Sequence, residues 1–74
     1  MIDDTYMITS MTINDSSAKE IAMKFLQQHY SIIGVKNAIL KDGVWRVQVE
    51  VSSFGVYVKT VWISPKTGTI LEYA

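Results

Sequence analysis

The chain has 74 residues, of which seven are basic, seven acidic and one histidine, and it has no cysteine. That length holds one domain with one core. The missing cysteine excludes disulfides, and the balanced charge argues against a general affinity for nucleic acid or anionic membrane.

With 49% hydrophobic residues the composition is that of a folded globule. A chain this short has a thin stability margin, so good packing or a partner must supply the rest. Residues 1–14 are rich in Thr, Ser, Asp and Asn and show no sustained period, which predicts a flexible N-terminal tail ahead of a single α+β domain over 15–74. Within the tail, Tyr6-Met7-Ile8 is the one stretch that could add a strand or cover part of the sheet. The first residues, Met1-Ile2-Asp3-Asp4, are acidic where a signal peptide is basic, and no apolar run is long enough to span a bilayer. The expected location is therefore the cytoplasm, with no membrane segment.

A helix is expected from about Ser17 to Tyr30. Ser17 and Glu20 have the spacing of a capping box, in which the hydroxyl and the carboxylate each take up an orphan backbone N–H. Ala18, Ile21, Ala22, Phe25 and Leu26 recur at helical spacing as one apolar stripe, with Lys19, Lys24, Gln27 and Gln28 opposite. His29 prolongs the stripe as a packed histidine near the helix C-terminus, Met23 flanks the core, and Gly34 is the expected left-handed terminator.

From Val35 the period switches to two. Asp42-Gly43 is the signal for a two-residue type I′ hairpin, whose central positions both need positive φ. It sets Leu40 opposite Trp45 and Ala38 opposite Val47, and turns Arg46, Gln48 and Glu50 to the other face beside Ile39, Asn37 and Val35. Trp45, Val47, Val49 and Val51 then point inward. The length of the next loop, around Ser52-Ser53-Phe54-Gly55, decides which face the third strand turns inward. An even loop puts Val56, Val58, Thr60 and Trp62 on the inner face, and an odd one substitutes Tyr57, Val61 and Ile63. The even case is the expectation. Ser64-Pro65-Lys66-Thr67-Gly68 is the second strong turn, and a short strand from Thr69 to Tyr73 returns with Trp62 opposite Leu71 and Ile63 opposite Ile70, both tryptophans and Leu71 lying under the helix stripe. The fold expected is one helix packed on a four-stranded antiparallel meander.

No phosphate loop, nucleophile elbow, His-x-x-x-His or EF-hand spacing occurs. One histidine and scattered carboxylates do not converge as acid–base, nucleophilic or metal chemistry requires. The expectation is a protein without catalytic residues, metal or cofactor. Lys36, Lys41, Arg46 and Lys59 make at most a mild basic strip, and nucleic acid is not an expected partner.

The order helix, strand, Asp-Gly-Val-Trp-Arg-Val-Gln-Val-Glu-Val, strand, then Ser64-Pro65-Lys66-Thr67-Gly68-Thr69-Ile70-Leu71 resembles a PepSY-type domain over Ser17 to Tyr73. In that family the closing turn usually reads Asp-x-x-Thr-Gly, and Ser64 stands at the aspartate here. Members are typically exported or membrane-attached, whereas this chain shows no export signal. The resemblance implies a module that binds or restrains a peptidase. Trp45 to Val51 also resembles the Trp-Arg-Val-x-Val-Glu-Val strand of gas-vesicle accessory proteins of the O type, which carry a longer segment between their last strands.

The functional expectation is a non-catalytic protein-binding or inhibitory module, with a small structural or assembly subunit as the alternative. Exposed strand edges suit the capture of extended peptides. With an even loop, Ile39, Val44, Arg46, Val61, Ile63 and Ile70 share the face away from the helix, with Arg46, Glu50, Tyr57, Lys59 and Glu72 around an apolar centre. That is the anatomy of a contact surface for a partner or a second copy.

Overall fold

The computed structural model describes residues 13–74. The tail expected over 1–14, except its last two residues, and the strand suggested at Tyr6–Ile8 lie outside the described residues. One helix, α1 (Asp15–Leu26), is followed by four strands, β1 (Ser31–Lys41), β2 (Val44–Ser52), β3 (Val56–Ile63) and β4 (Ile70–Tyr73). All neighbours are antiparallel in the order β1-β2-β3-β4, and the helix lies across one face of this α+β meander.

The helix starts earlier than the capping box implies. Asn14 is the N-cap, its backbone extended and its side-chain oxygen accepting the Ser17 N–H at 2.9 Å. Ser17 therefore occupies the first turn as donor of a backbone N–H. Asp15 in the first turn and Lys24 in the last favour the helix dipole. The helix also ends earlier, at Leu26, whose carbonyl accepts both the His29 and Tyr30 N–H groups at 3.0 Å. His29 is exposed in that turn and does not pack, and Gly34 lies within β1.

Ala18, Ala22 and Leu26 are buried against Val47, Val49, Val51, Val61 and Ile63. Two alanines let the helix backbone approach the sheet, while Ile21, Met23, Phe25 and Tyr30 seal the margins half-buried. The residue leading into the helix is held at two points: Ile13 N–H donates to the Pro65 carbonyl at 2.8 Å, and Ile13 carbonyl accepts the Trp45 indole N–H at 3.1 Å. These two residues of the expected tail, Ile13 and Asn14, belong to the domain.

The Asp42-Gly43 turn has positive φ at both residues (53° and 75°), and Leu40 pairs with Trp45 and Ala38 with Val47. Farther from the turn the register slips twice, with extra residues at Lys36 and Ile33. Each bulge adds one residue to β1. The first turns Val35 inward opposite Val49, not outward beside Glu50 as expected.

The β2–β3 loop is odd. Ser52 pairs with Val56, leaving Ser53, Phe54 and Gly55 as a three-residue connection. Phe54 takes the left-handed conformation at φ 61°. The odd loop flips β3, so Trp45 pairs with Ile63 and Val47 with Val61, all on the helix side, while Trp62 sits opposite Arg46 on the outer face. Val61 and Ile63 are fully buried, and Ile70, opposite Ile63, packs against the same core. Three of the six residues expected on the outer contact face, Val61, Ile63 and Ile70, thus belong to the core. Tyr57 and Lys59, expected on its rim, also face the helix side, opposite Val51 and Val49. A third bulge, at Leu71, pairs Trp62 with Glu72 and not with Leu71 as expected, and Leu71 is exposed, not packed under the helix.

Candidate functional site

Of the expected contact face, Ile39, Val44 and Arg46 remain outward. They surround Trp62 in the row Ile39–Arg46–Trp62–Glu72. This face is an apolar residue and an indole set among charges, with a depression lined by Lys41, Asp42, Val44, Arg46 and Trp62. Arg46 Nε and Asn37 Oδ1 are out of reach of water and have no hydrogen-bond partner among the described residues, although Asn37 Nδ2 donates to Gln48 Oε1 at 2.9 Å.

A second surface arises where the sheet outruns both the helix and β4. Thr60 and Ala74 exchange both backbone hydrogen bonds, at 2.8 and 2.9 Å, and close the β3–β4 ladder. In an antiparallel sheet a strand's N–H and C=O groups alternate between its two neighbours. Since Thr60 faces β4, the backbone groups of Val58 and Val56 face the same side, beyond the reach of β4. Their side chains are exposed as well: Val56 is 63% accessible and Val58 46%. Among the described residues, the segment Val56–Lys59 has no strand partner on this side. The β1 margin is bulged at Ile33 and Lys36, which leaves Asn37–Lys41 as its straight part.

Aromatic rings border the helix side of Val56–Lys59. Phe25 and Tyr73 meet edge to face at 4.9 Å. Lys59 Nζ lies over the Tyr30 ring, 5.6 Å from its centroid. Tyr57, 49% exposed, leans over Gly55, where a Cβ would sit 3.4 Å from its hydroxyl. At the tip Phe54 stands wholly in solvent. Loop parity brought Tyr57 and Lys59 here from the expected outer rim. Tyr30, Phe54 and Tyr73 had no role in the sequence expectations; the odd alternative for the loop was the signal for Tyr57 and Lys59.

Among the described residues, no three His, Asp or Glu side chains are grouped as a metal site, and no helix is long and apolar enough to cross a membrane. Compared with known protein families, characterised proteins and solved structures, the chain matches none of them.

Proposed function

We propose that this protein is a non-catalytic binding module that captures an extended polypeptide by adding it as a strand beside Val56–Lys59. The observation that carries this reading is the run of exposed side chains Val56, Tyr57 and Val58 on β3, whose backbone meets no strand on the β4 side among the described residues. Main-chain bonds supply affinity in this mode, and the flanking side chains supply selectivity. The resemblance of Ser17 to Tyr73 to PepSY-type domains agrees with it, a restrained peptidase segment being one such partner.

The test is to select binders from random linear peptides displayed on phage, against the wild type and Val58→Pro. Proline removes an N–H that no neighbouring strand uses, so the fold survives while the added strand loses a donor. Peptides enriched on the wild type should fail on Val58→Pro, with circular dichroism unchanged. Binders indifferent to the proline, or no enrichment at all, would overturn the reading.

The second reading is a structural subunit that self-associates through the outer face, favoured by the unpartnered Nε of Arg46 beside Trp62. Sedimentation velocity separates the two, since only the second requires a dimer of the isolated chain.

A further inference from the structure

We propose that the depression on the outer face binds a small aromatic monocarboxylate, its ring against Trp62 and its carboxylate held by Arg46 and Lys41. This site is separate from the strand-addition surface, and neither depends on the other.

Several cations of this chain have no carboxylate within ion-pair distance among the described residues, where the ion pairs join Lys19 to Asp15 and Lys24 to Glu20. Lys41 and Arg46 differ from Lys36, Lys59 and Lys66 in lining one depression together. It holds about 280 Å³, and the indole of Trp62 and the side chain of Val44 complete its apolar part. The ladder assembles these residues. Lys41 and Val44 flank the Asp42-Gly43 turn, and Arg46 pairs with Ile39 on one side and Trp62 on the other. Thr60 exchanges its backbone hydrogen bonds with Ala74, so by alternation Trp62 also turns its backbone toward β4. Trp62 and Arg46 are then a non-hydrogen-bonded pair, where opposite side chains come closest. Neither end of the described chain leads into the depression. β4 runs from Ile70 beside Ile63 to Ala74 beside Thr60, away from the Asp42-Gly43 turn, and Ile13 is held by Trp45 and Pro65 on the helix side.

The chemistry of the walls selects the ligand. Arg46 Nε is out of reach of water, so a ligand meets only the two terminal nitrogens of the guanidinium. Their parallel N–H groups match the two oxygens of a planar carboxylate. Lys41 adds a second positive charge and Asp42, also on the lining, offsets one, which leaves the lining with a single net positive charge. That balance suits a monoanion. A phosphate monoester, with a charge of about −1.5 to −2 at neutral pH, meets stronger repulsion from Asp42 and from Glu72, which stands opposite Trp62 on β4. The indole and Val44 supply the apolar surface, and an aromatic ring gains more against an indole than its buried area alone provides.

The experiment is a nitrogen–proton NMR titration of the full chain with naphthoate, its neutral analogue naphthamide, and naphthyl phosphate. The indole N–H signals of the two tryptophans, told apart with Trp62→Phe, supply an internal control. Trp45 donates its indole N–H to the Ile13 carbonyl on the helix side, so only the Trp62 signal should move. Naphthoate should saturate with a Kd of about 1 mM, the affinity a ligand of that size reaches. Naphthamide should bind about tenfold more weakly, the size of one lost charge-assisted contact. Naphthyl phosphate should bind no more tightly than naphthoate despite its larger charge. Arg46→Lys, which keeps the charge and loses the fork, should also weaken naphthoate about tenfold. Lys41 is exposed at the end of β1, so Lys41→Gln, expected to weaken binding about threefold, tests the site even if Arg46→Lys unfolds the chain. No saturable movement of the Trp62 signal, equal movement of both tryptophans, or equal affinity for naphthamide overturns the proposal, as does indifference to Lys41→Gln and Arg46→Lys. Tighter binding of naphthyl phosphate overturns the monocarboxylate assignment. A Trp62 signal that moves when the protein alone is concentrated makes a second copy the occupant and overturns the small-ligand proposal.

Discussion

Ile63→Ala tests the β3 register most directly, because a shift of one residue would carry this side chain from the core to the open face. Ile63 is fully buried, between Trp45 on β2 and Ile70 on β4, in the cluster that includes Ala18, Ala22 and Val47. The substitution removes three carbons, worth about 2.4 kcal/mol of transfer free energy at about 0.8 each. The cluster's buried helix residues are Ala18, Ala22 and Leu26, and the two alanines have no side chain able to swing into the gap, so a cavity term brings the loss to roughly 3–4 kcal/mol. A chain of 74 residues has about 4–11 kcal/mol in total. The variant should therefore lose a third or more of its stability. Urea unfolding followed by far-ultraviolet circular dichroism would show the midpoint falling at constant slope. The control is Ile39→Ala, on the outer face and 41% exposed, which should cost under about 1 kcal/mol. If Ile63→Ala costs no more than Ile39→Ala, the three-residue loop and every face assignment in β3 are wrong.

Two other substitutions address local structure. Asn14→Ala should destabilise by about 1 kcal/mol through loss of the cap, while Ser17→Ala should stay within about 0.5 kcal/mol, a contrast readable from thermal midpoints. Phe54→Asn should raise stability by about 1 kcal/mol, since asparagine tolerates the left-handed region and the exposed ring has no packing to lose; a lower midpoint would show that Phe54 does contribute contacts.

The sequence made plain whatever depended on short-range chemistry. Asp42-Gly43 has one good solution, and the register it implies is correct from Lys41–Val44 out to Asn37–Gln48. Ile63 opposite Ile70 follows in the same way from the Pro65–Gly68 turn. The helix stripe was legible because several turns of periodic side chains outweigh any single residue. Its start was not, because Asn14, Asp15, Ser16 and Ser17 are all good caps, and the choice falls to the residue that the Ile13 contacts with Pro65 and Trp45 place at the boundary. The face of β3 depended on one bit of information, odd or even. The left-handed residue that makes the loop odd is Phe54, not the glycine beside it, so composition gave no sign of where the chain reverses. The bulges in β1 are equally silent, since Ile33 and Lys36 are ordinary strand residues. Half of the expected contact face fell with that one bit.

The shape of the two sheet margins has a consequence for how the protein behaves at high concentration. Growth of a fibre by edge pairing needs two open sides on every molecule, one to receive and one to offer. Here the margins of the sheet are β1, bulged at Ile33 and Lys36 with a straight run only over Asn37–Lys41, and β4, four residues long and bulged at Leu71. Neither offers a long straight row of backbone groups to template a neighbour. Margins this short and interrupted work against elongation into filaments in a concentrated solution.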